Sequence, residues 1–526
     1  MPALVPFPLN TLASPFAKNI TFSAHPAIIV PGGGPSLDYY HLGNIIEEFR
    51  EVLAGAGLTK GSAVSIVLGN TVEFIISFFG VSNFRGISCP LNPALAQQEF
   101  VFYLKDSQSK LVLVPKGEFS KKDSTVLKAA KEVGVAAAEV SYEGGKLHVL
   151  FEGKFPAKRL IYNETPQPDD IALLLHTSGT TGLPKAVPLS HGNLSRTMNN
   201  VINTYQLKTR DRTYLVMPLF HVHGLVAGLL ATFLSGGAVV VPPRLTQFSF
   251  TPQNFWRNFV DNECTWYTAV PTIHQILLAS PDSRSPSSTG KLRFIRSCSS
   301  SLAPATLSAL EAAFKAPVLE AYAMTEAAHQ VSSNPLPPAA HKPGTVGLGQ
   351  GVEISIRNDK GDVVQKGEVC IRGSNVTRGY LNNPKANASS FHSDGFFRTG
   401  DEGVLDSEGY LTLTGRIKEL VNRGGEKIAP AEVDHILLDH PAIAEAVAFA
   451  VPDEKYGQDI QAAVVLKADK SVTEEELRTW VGQKLAAFKV PRRIYLTDKM
   501  PKTATGKIQR AKVSEAFFKP QAKSKL

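Results

Sequence analysis

The chain has 526 residues, with 55 Lys and Arg against 47 Asp and Glu, a net charge of +8 with the histidines neutral. Apolar residues make up 43% and charged residues 19%, ordinary globular usage that argues against disorder or a coiled coil. The excess charge is mild, and among the basic residues near the end (Lys484 to Lys512) interleaved aromatics are few, a thin signal for nucleic acid as a partner.

The first 25 residues hold prolines and polar residues where a secretory signal needs an apolar run. Ala63 to Leu68 reads as a strand and Val72 to Phe79 as a helix. Further strands are expected at Leu111 to Val114, Ile171 to Leu175, Ala238 to Val241, Phe294 to Ser297 and Pro317 to Leu319, with helices at Asn193 to Tyr205, Phe255 to Asn262 and Pro304 to Phe314. Such alternation predicts an α/β protein with mostly parallel sheets. Gly224 to Pro243 is free of charge over about 20 residues, close to a spanning length. Ser235-Gly236-Gly237 interrupts it, which predicts a buried helix, a turn and a buried strand, with no membrane span. The four cysteines (Cys89, Cys264, Cys298, Cys370) are far apart and lack metal-ligand spacing, as expected for a reducing compartment.

After about Pro343 come short segments with glycine turns (Glu353 to Arg357, Glu368 to Arg372, Tyr410 to Thr414), which predict an antiparallel β-subdomain. A compact α+β unit follows, with helices near Ala431 to Leu438 and Glu474 to Leu485 and strands near Ala446 to Val451 and Gln461 to Leu466. The expected division is a large domain over residues 1–415, containing α/β sheets plus the β-subdomain, hinged to a small domain over 416–526.

The strongest local feature is the run Thr177, Ser178, Gly179, Thr180, Thr181, Gly182, Leu183, Pro184, Lys185, directly after the apolar strand Ile171 to Leu175. Glycines let backbone N–H groups turn inward, the hydroxyls add donors and Lys185 adds a cation, a composition suited to gripping phosphate. It is not the G-x-x-x-x-G-K-[ST] loop, because its lysine follows Leu-Pro.

This loop resembles the signature of adenylate-forming enzymes, the group of acyl-CoA synthetases, luciferases and peptide-synthetase adenylation domains. The other signatures stand in order: Tyr322-Ala-Met-Thr325-Glu326, Thr399-Gly400-Asp401, Gly415-Arg416-Ile417-Lys418, Arg423-Gly424-Gly425-Glu426 and Pro501 to Gly506-Lys507. The resemblance covers roughly residues 30–515 and implies that a carboxylate attacks the α-phosphorus of ATP, giving an acyl adenylate that coenzyme A then takes up. It implies that Thr177 to Lys185 hold the β- and γ-phosphates, Thr325 the α-phosphate and Glu326 the Mg²⁺. Tyr322 would pack on adenine within a nucleotide pocket that includes Ser301, Glu320 and Ala321, with Asp401 and Arg416 on the ribose. Lys507 would bridge carboxylate and α-phosphate, Lys418 would be the hinge, and Gly424-Gly425 would line the pantetheine entry. These assignments suit the chemistry, since Glu is a hard ligand for Mg²⁺ and Asp accepts hydrogen bonds from a diol.

The acid pocket departs from the usual ligase pattern. Cys298-Ser299-Ser300-Ser301 stands where Gly-Ala-Ala-Pro is common, Ala323 where glycine is common, and His221, His223 and His329 are added. Hydroxyls and imidazoles suit a small doubly anionic acid better than a hydrocarbon chain. With Trp266 to His274 and Ser333-Asn-Pro-Leu-Pro337, the segment resembles the oxalyl-CoA synthetases of fungi and plants, which implies oxalate as the substrate. Alternatives are a ligase for a medium-chain fatty acid or a 4-coumarate-like acid and, more distantly, a nucleic-acid-binding protein without ligase activity; a luciferase-like monooxygenase would share every nucleotide motif. The final Ser524-Lys525-Leu526 reads as an address for the peroxisomal import receptor, with the peroxisome, and the cytoplasm as a second site, as the expected location.

Overall fold

The computed structural model describes residues 10–16, 23–153, 160–177, 184–242, 252–280, 291–423, 426–503 and 506–518. Among the expected site residues, Ser178, Gly179, Thr180, Thr181, Gly182, Gly424, Gly425 and the tripeptide Ser524-Lys525-Leu526 lie outside the described residues.

Among the described residues the strands build four sheets. In the first, parallel strands Ala136–Glu143, Leu111–Pro115, Ala63–Ile66, Ile87–Pro90 and Ile171–His176 are flanked by antiparallel edges at Lys146–Phe151 and Ala186–Ser190. The second carries a parallel centre formed, in spatial order, by Val318–Met324, Phe294–Cys298, Trp266–Ala269, Arg212–Tyr214, Ala238–Val240 and Pro26–Ile29. Both centres are buried on two faces, so their strands are runs of Val, Ile, Leu and Ala rather than alternating sequences.

The expected strand at Pro317 to Leu319 extends to Met324, because Ala321 to Met324 also pair with His329–Ser333 on the other side. The helix expected at Val72 to Phe79 runs to Asn83. Thr71 caps it by accepting from Phe74 N, and every residue but Glu73 is buried, so no polar face marks its end. The uncharged run becomes a buried helix over His223–Leu234, a turn and the strand Ala238–Val240, and among the described residues no helix is long and apolar enough to cross a membrane. Its first part, His223–Leu230, is wound with i→i+5 bonds, a widening often found at functional sites. Gly224 is needed there, since a Cβ would lie 2.4 Å from Pro218 O.

The third sheet is antiparallel, formed by Glu353–Arg357, Lys366–Arg372, Phe397–Leu405 and Leu411–Arg416. The last strand runs on through Gly415-Arg416, and after the short turn Ile417–Glu419 the chain enters the fourth sheet at Val421. There the hairpin Ile443–Asp453 and Gly457–Leu466 is covered on both faces. Ala446 and Ala448 face helices Pro430–Leu438 and Glu474–Gly482, while Val447, Phe449 and Val451 face the helix Arg510–Phe517.

Candidate active site

The functional side chains gather where strands of the second sheet end. Ser299 follows Phe294–Cys298, Thr325 and Glu326 follow Val318–Met324, and His221 and His223 lie in the connection after Arg212–Tyr214. Carboxyl ends of parallel strands are where open α/β sheets hold ligands.

On the nucleotide side, Thr177 N donates to Lys185 O at 2.9 Å and Lys185 N to Thr177 Oγ1 at 3.4 Å, so the ends of the phosphate-type loop are pinched together. Lys185 Nζ lies 4.5 Å from the centroid of Tyr380, whose hydroxyl donates to Glu326 Oε1 at 2.8 Å. Thr325 starts the turn Thr325–Ala327, and Glu326 O accepts from Thr377 N at 2.7 Å. Burial raises the Glu326 carboxyl above its ordinary range, against the pull of Tyr380, Arg416 and Lys185. Asp401 and Arg416 are cross-strand partners with Arg416 Nε 3.1 Å from Asp401 Oδ1, and Tyr322 donates to Asp401 Oδ2. Burial also raises Asp401. Glu320 accepts from Gly344 N and Leu302 N beneath this cluster, and burial pushes it up to about 7. Ala321 is buried in the strand, while Ser300 and Ser301 are exposed.

Lys507 reaches the site from the small domain. Gly506 has φ of +82°, and its carbonyl accepts from Thr272 Oγ1 at 3.3 Å in the large domain. Lys507 N donates to Thr503 Oγ1 at 3.1 Å. Its side chain keeps an exposed surface but lies in a crowded cleft, where desolvation and the Arg416 charge lower its pKa against the pull of Glu419 and Asp401. Lys418, in the turn between the third and fourth sheets, is exposed.

On the acid side, His223 is fully buried, with Nδ1 3.0 Å from Ser299 Oγ and Nε2 2.6 Å from Thr268 Oγ1. Its ring stacks on His329 at 5.6 Å between centroids, and its backbone N–H donates to His221 Nδ1. Both His329 ring nitrogens are buried without a hydrogen-bond partner among the described residues, so they can bond a polar ligand. The backbone is strained here, with φ of +115° at His329 and +74° at Ser299. Burial, then the Arg296 charge, holds His223 and His329 well below the usual imidazole range; burial and Lys507 lower His221 to about 4. All three are therefore neutral at pH 7. Ala323 lies beside them, where the pairing with His329–Ser333 shifts register.

Sequence reasoning passed over Arg296, Thr268 and Tyr380. Arg296 is fully buried and donates to Tyr205 Oη (2.8 Å), Thr268 Oγ1 (3.2 Å) and Gln330 Oε1 (3.2 Å). Among the described residues no carboxylate forms an ion pair with it. A charged residue inside the apolar strand Phe294–Cys298 was the available signal. Tyr380 has no local signal, since it lies 54 residues from Glu326 in sequence.

A donor-rich loop, a buried carboxylate and a lysine brought in by a second domain define a nucleotide-activating enzyme. The chain belongs to the AMP-binding enzyme family, which matches residues 17–381, and the AMP-binding enzyme C-terminal domain matches 432–507. It is 46% identical to an oxalate–CoA ligase of Saccharomyces cerevisiae, over 98% of this chain and 99% of the relative. It is 49% identical to an oxalate–CoA ligase of Arabidopsis thaliana, over 92% and 94%. Among solved structures it is similar to ATP-bound MatB from Rhodopseudomonas palustris, with a TM-score of 0.86 and 26% identity over 97% of this chain and 99% of that one.

Proposed function

We propose that the protein is an ATP-dependent acid–thiol ligase that joins oxalate to coenzyme A through an oxalyl adenylate. One carboxylate oxygen of the acid attacks the α-phosphorus, the bond to the β-phosphate breaks and pyrophosphate leaves. The thiol of coenzyme A then attacks the acyl carbon, AMP leaves, and the thiol proton passes to solvent. A bare carboxylate cannot do this, because its leaving group would be oxide. Lys507 offsets the negative charge where carboxylate and α-phosphate approach each other, a positioning and electrostatic role. Thr177 to Lys185 grip the outer phosphates, Thr325 the α-phosphate, Asp401 and Arg416 the ribose, and Tyr322 with Ser301, Glu320 and Ala321 the adenosine.

Glu326 is the residue that would hold Mg²⁺. A single buried carboxylate fits a hard cation that takes its other ligands from phosphate and water. When bound, the ion offsets charge on the departing pyrophosphate. For the second step the small domain, residues 416–526, turns about Lys418 relative to residues 1–415, and Gly424-Gly425 lines the thiol entry.

The observation that carries the choice of acid is His329, with both ring nitrogens unsatisfied, stacked on His223 beside Ser299, both imidazoles neutral and the Arg296 cation behind them. Oxalate places its second carboxylate one bond from the reacting carbon, so the groups that anchor it must close the pocket at that depth. His221, Ser300 and Ala323 complete the lining. Full-length enzyme assayed for pyrophosphate release on a panel of acids tests the reading. Oxalate should exceed acetate and hexanoate in kcat/KM by at least about 1,000-fold, since a site built for polar partners rejects analogues that leave them unpaired. Preference for hexanoate or 4-coumarate would overturn it. We further propose that Ser524-Lys525-Leu526 directs the enzyme to peroxisomes, tested by imaging a fusion that leaves Leu526 terminal against one that masks it.

A further inference from the structure

Arg296 is a cation buried inside a protein strand; it donates to Tyr205, Thr268 and Gln330 and lies against the Cys298 thiol, and among the described residues no carboxylate pairs with it. Burying a charge without a counter-charge is costly, so a fold that keeps one has a use for it. The hydrogen-bond polarity leading from Arg296 to the acid pocket can be followed atom by atom.

A guanidinium only donates. Thr268 Oγ1 therefore accepts from Arg296 Nη1, and its single hydroxyl proton has an acceptor 2.6 Å away at His223 Nε2. His223 is neutral, so with Nε2 accepting, its one proton sits on Nδ1, which donates to Ser299 Oγ at 3.0 Å. Ser299 then has its own hydroxyl proton left over. The recorded partner of Gln330 confirms the direction at the other end, because its amide oxygen accepts from Arg296 while its NH₂ donates to Thr204 Oγ1 at 3.0 Å. With the opposite His223 tautomer, Thr268 Oγ1 would accept from both neighbours and its own proton would have no recorded acceptor.

We propose that Arg296 is a positioning and specificity-determining residue for the acid: through Thr268 and His223 it fixes Ser299 Oγ as a donor to the second carboxylate of a small dicarboxylate, and its buried charge is the counter-ion of that carboxylate. The inference rests on the dicarboxylate reading above and deepens it. His329, stacked on His223 with unsatisfied nitrogens, supplies a second contact to the same group. Arg296 itself does not touch the substrate. Placing the charge behind neutral hydrogen-bonding groups leaves the attacking carboxylate free of a strong cation on the pocket side, so its nucleophilicity is preserved.

Two substitutions test this in the full-length enzyme with ATP, Mg²⁺ and CoA. Thr268→Val is nearly isosteric and removes the relay proton while leaving Arg296 in place; Arg296→Met removes the cation, and Arg296→Lys is the conservative comparison. KM and kcat are measured for oxalate, for the monoacid glyoxylate of the same length, and for ATP. The expected result is a rise in KM for oxalate of at least 30-fold in Thr268→Val and Arg296→Met. KM for ATP and kcat/KM for glyoxylate should stay within threefold, and Arg296→Lys should recover part of the loss. The double variant should cost no more than the worse single one. Equal losses for oxalate and glyoxylate, a parallel rise in KM for ATP, or an unchanged KM for oxalate in Thr268→Val would overturn the relay. Should Arg296→Met fail to fold, Thr268→Val alone decides. Failure of the oxalate reading shows separately, in the wild type: if it favours another dicarboxylate, the same comparison is made with that acid and its monoacid, and if it favours none, the relay falls with it.

Discussion

Acidification should act on this protein through four histidines held neutral inside the large domain. His191, His223 and His274 have no exposed surface and His329 has 1%. Burial lowers His191 to about 4 and His274 to about 3, and holds His223 and His329 well below the ordinary 6.5. At His191 the reason is visible: Nδ1 accepts from Leu12 N and Nε2 faces Ser82 O, so a second ring proton would break the first bond. Since each folded pKa lies below the unfolded one, the unfolded chain takes up protons first as pH falls. The stabilisation is complete above about pH 6.5 and is lost on the way down toward the folded values. Between pH 7 and pH 5 His191 and His274, whose folded values lie below that interval, cost about 2 kcal/mol each. Glu320 works the other way, since its folded value of about 7 exceeds the ordinary 4.5; it returns about 2 kcal/mol over the same interval. His191 and His274 set against Glu320 leave a net loss of about 2 kcal/mol, to which His223 and His329 add in the same direction, a sizeable share of the 5–15 kcal/mol typical of a whole domain. Potentiometric titration of native and urea-unfolded protein checks this directly. Through these groups the unfolded chain should bind at least about one more proton than the native one between pH 7 and pH 5. Equal uptake by the two states, or ring C–H signals of the native protein that all titrate near 6.5, would refute the premise that burial governs these rings.

Lys507→Ala should abolish pyrophosphate release while sparing thioester formation from supplied oxalyl adenylate; equal loss in both half-reactions would show a role outside adenylation. Tyr380→Phe keeps the ring beneath Lys185 but removes the donor to Glu326, and a hydrogen bond to a charged group contributes about 1.5–3 kcal/mol. The Mg²⁺ concentration needed for half-maximal rate should rise at least tenfold with little change in KM for oxalate, read from metal titrations with both variants. Lys418→Pro stiffens the turn between the third and fourth sheets and restricts Ile417 before it. Single-turnover kinetics should show thioester formation slowed by at least about 100-fold and adenylation within threefold, the signature of a blocked domain rotation.

The motifs proposed to hold the nucleotide stand out in the sequence because the residues of each are contiguous. Thr177 to Lys185 puts glycine, hydroxyl and charge at fixed offsets, Tyr322 to Glu326 a phenol, a hydroxyl and a carboxylate, and Gly506-Lys507 a glycine and a cation. The β-subdomain and the strand Phe294–Cys298 were legible for the same reason, since their pleat or apolar run is local. The extension of Val318–Met324 was not, because residues past Leu319 are held by His329–Ser333, a partner supplied by tertiary structure. The i→i+5 winding after His223 also escaped, since it depends on Gly224 lying against Pro218 O. Tyr380 was invisible because its meaning exists only across the contact with Glu326.

The two cations at the acid pocket differ in what they belong to, and that difference suits a reaction run in two halves. Arg296 is fixed in the strand Phe294–Cys298 of the large domain, while Lys507 comes from the small domain and meets it through the contact of Gly506 with Thr272. On the proposed mechanism both are needed during adenylation: one offsets the second carboxylate, the other the charge gathering between acid and α-phosphate. Once pyrophosphate has left, a lysine over the adenylate would block the thiol, so the mobile cation must leave and the fixed one must stay. When Lys507 withdraws, His221 loses the charge that, after burial, holds its pKa down, whereas His223 and His329 keep Arg296 behind them and stay neutral. The grip on the far end of the acyl group is thus independent of domain position. An enzyme that anchored the acid from the small domain would release its intermediate at the moment the second half-reaction required it to be held.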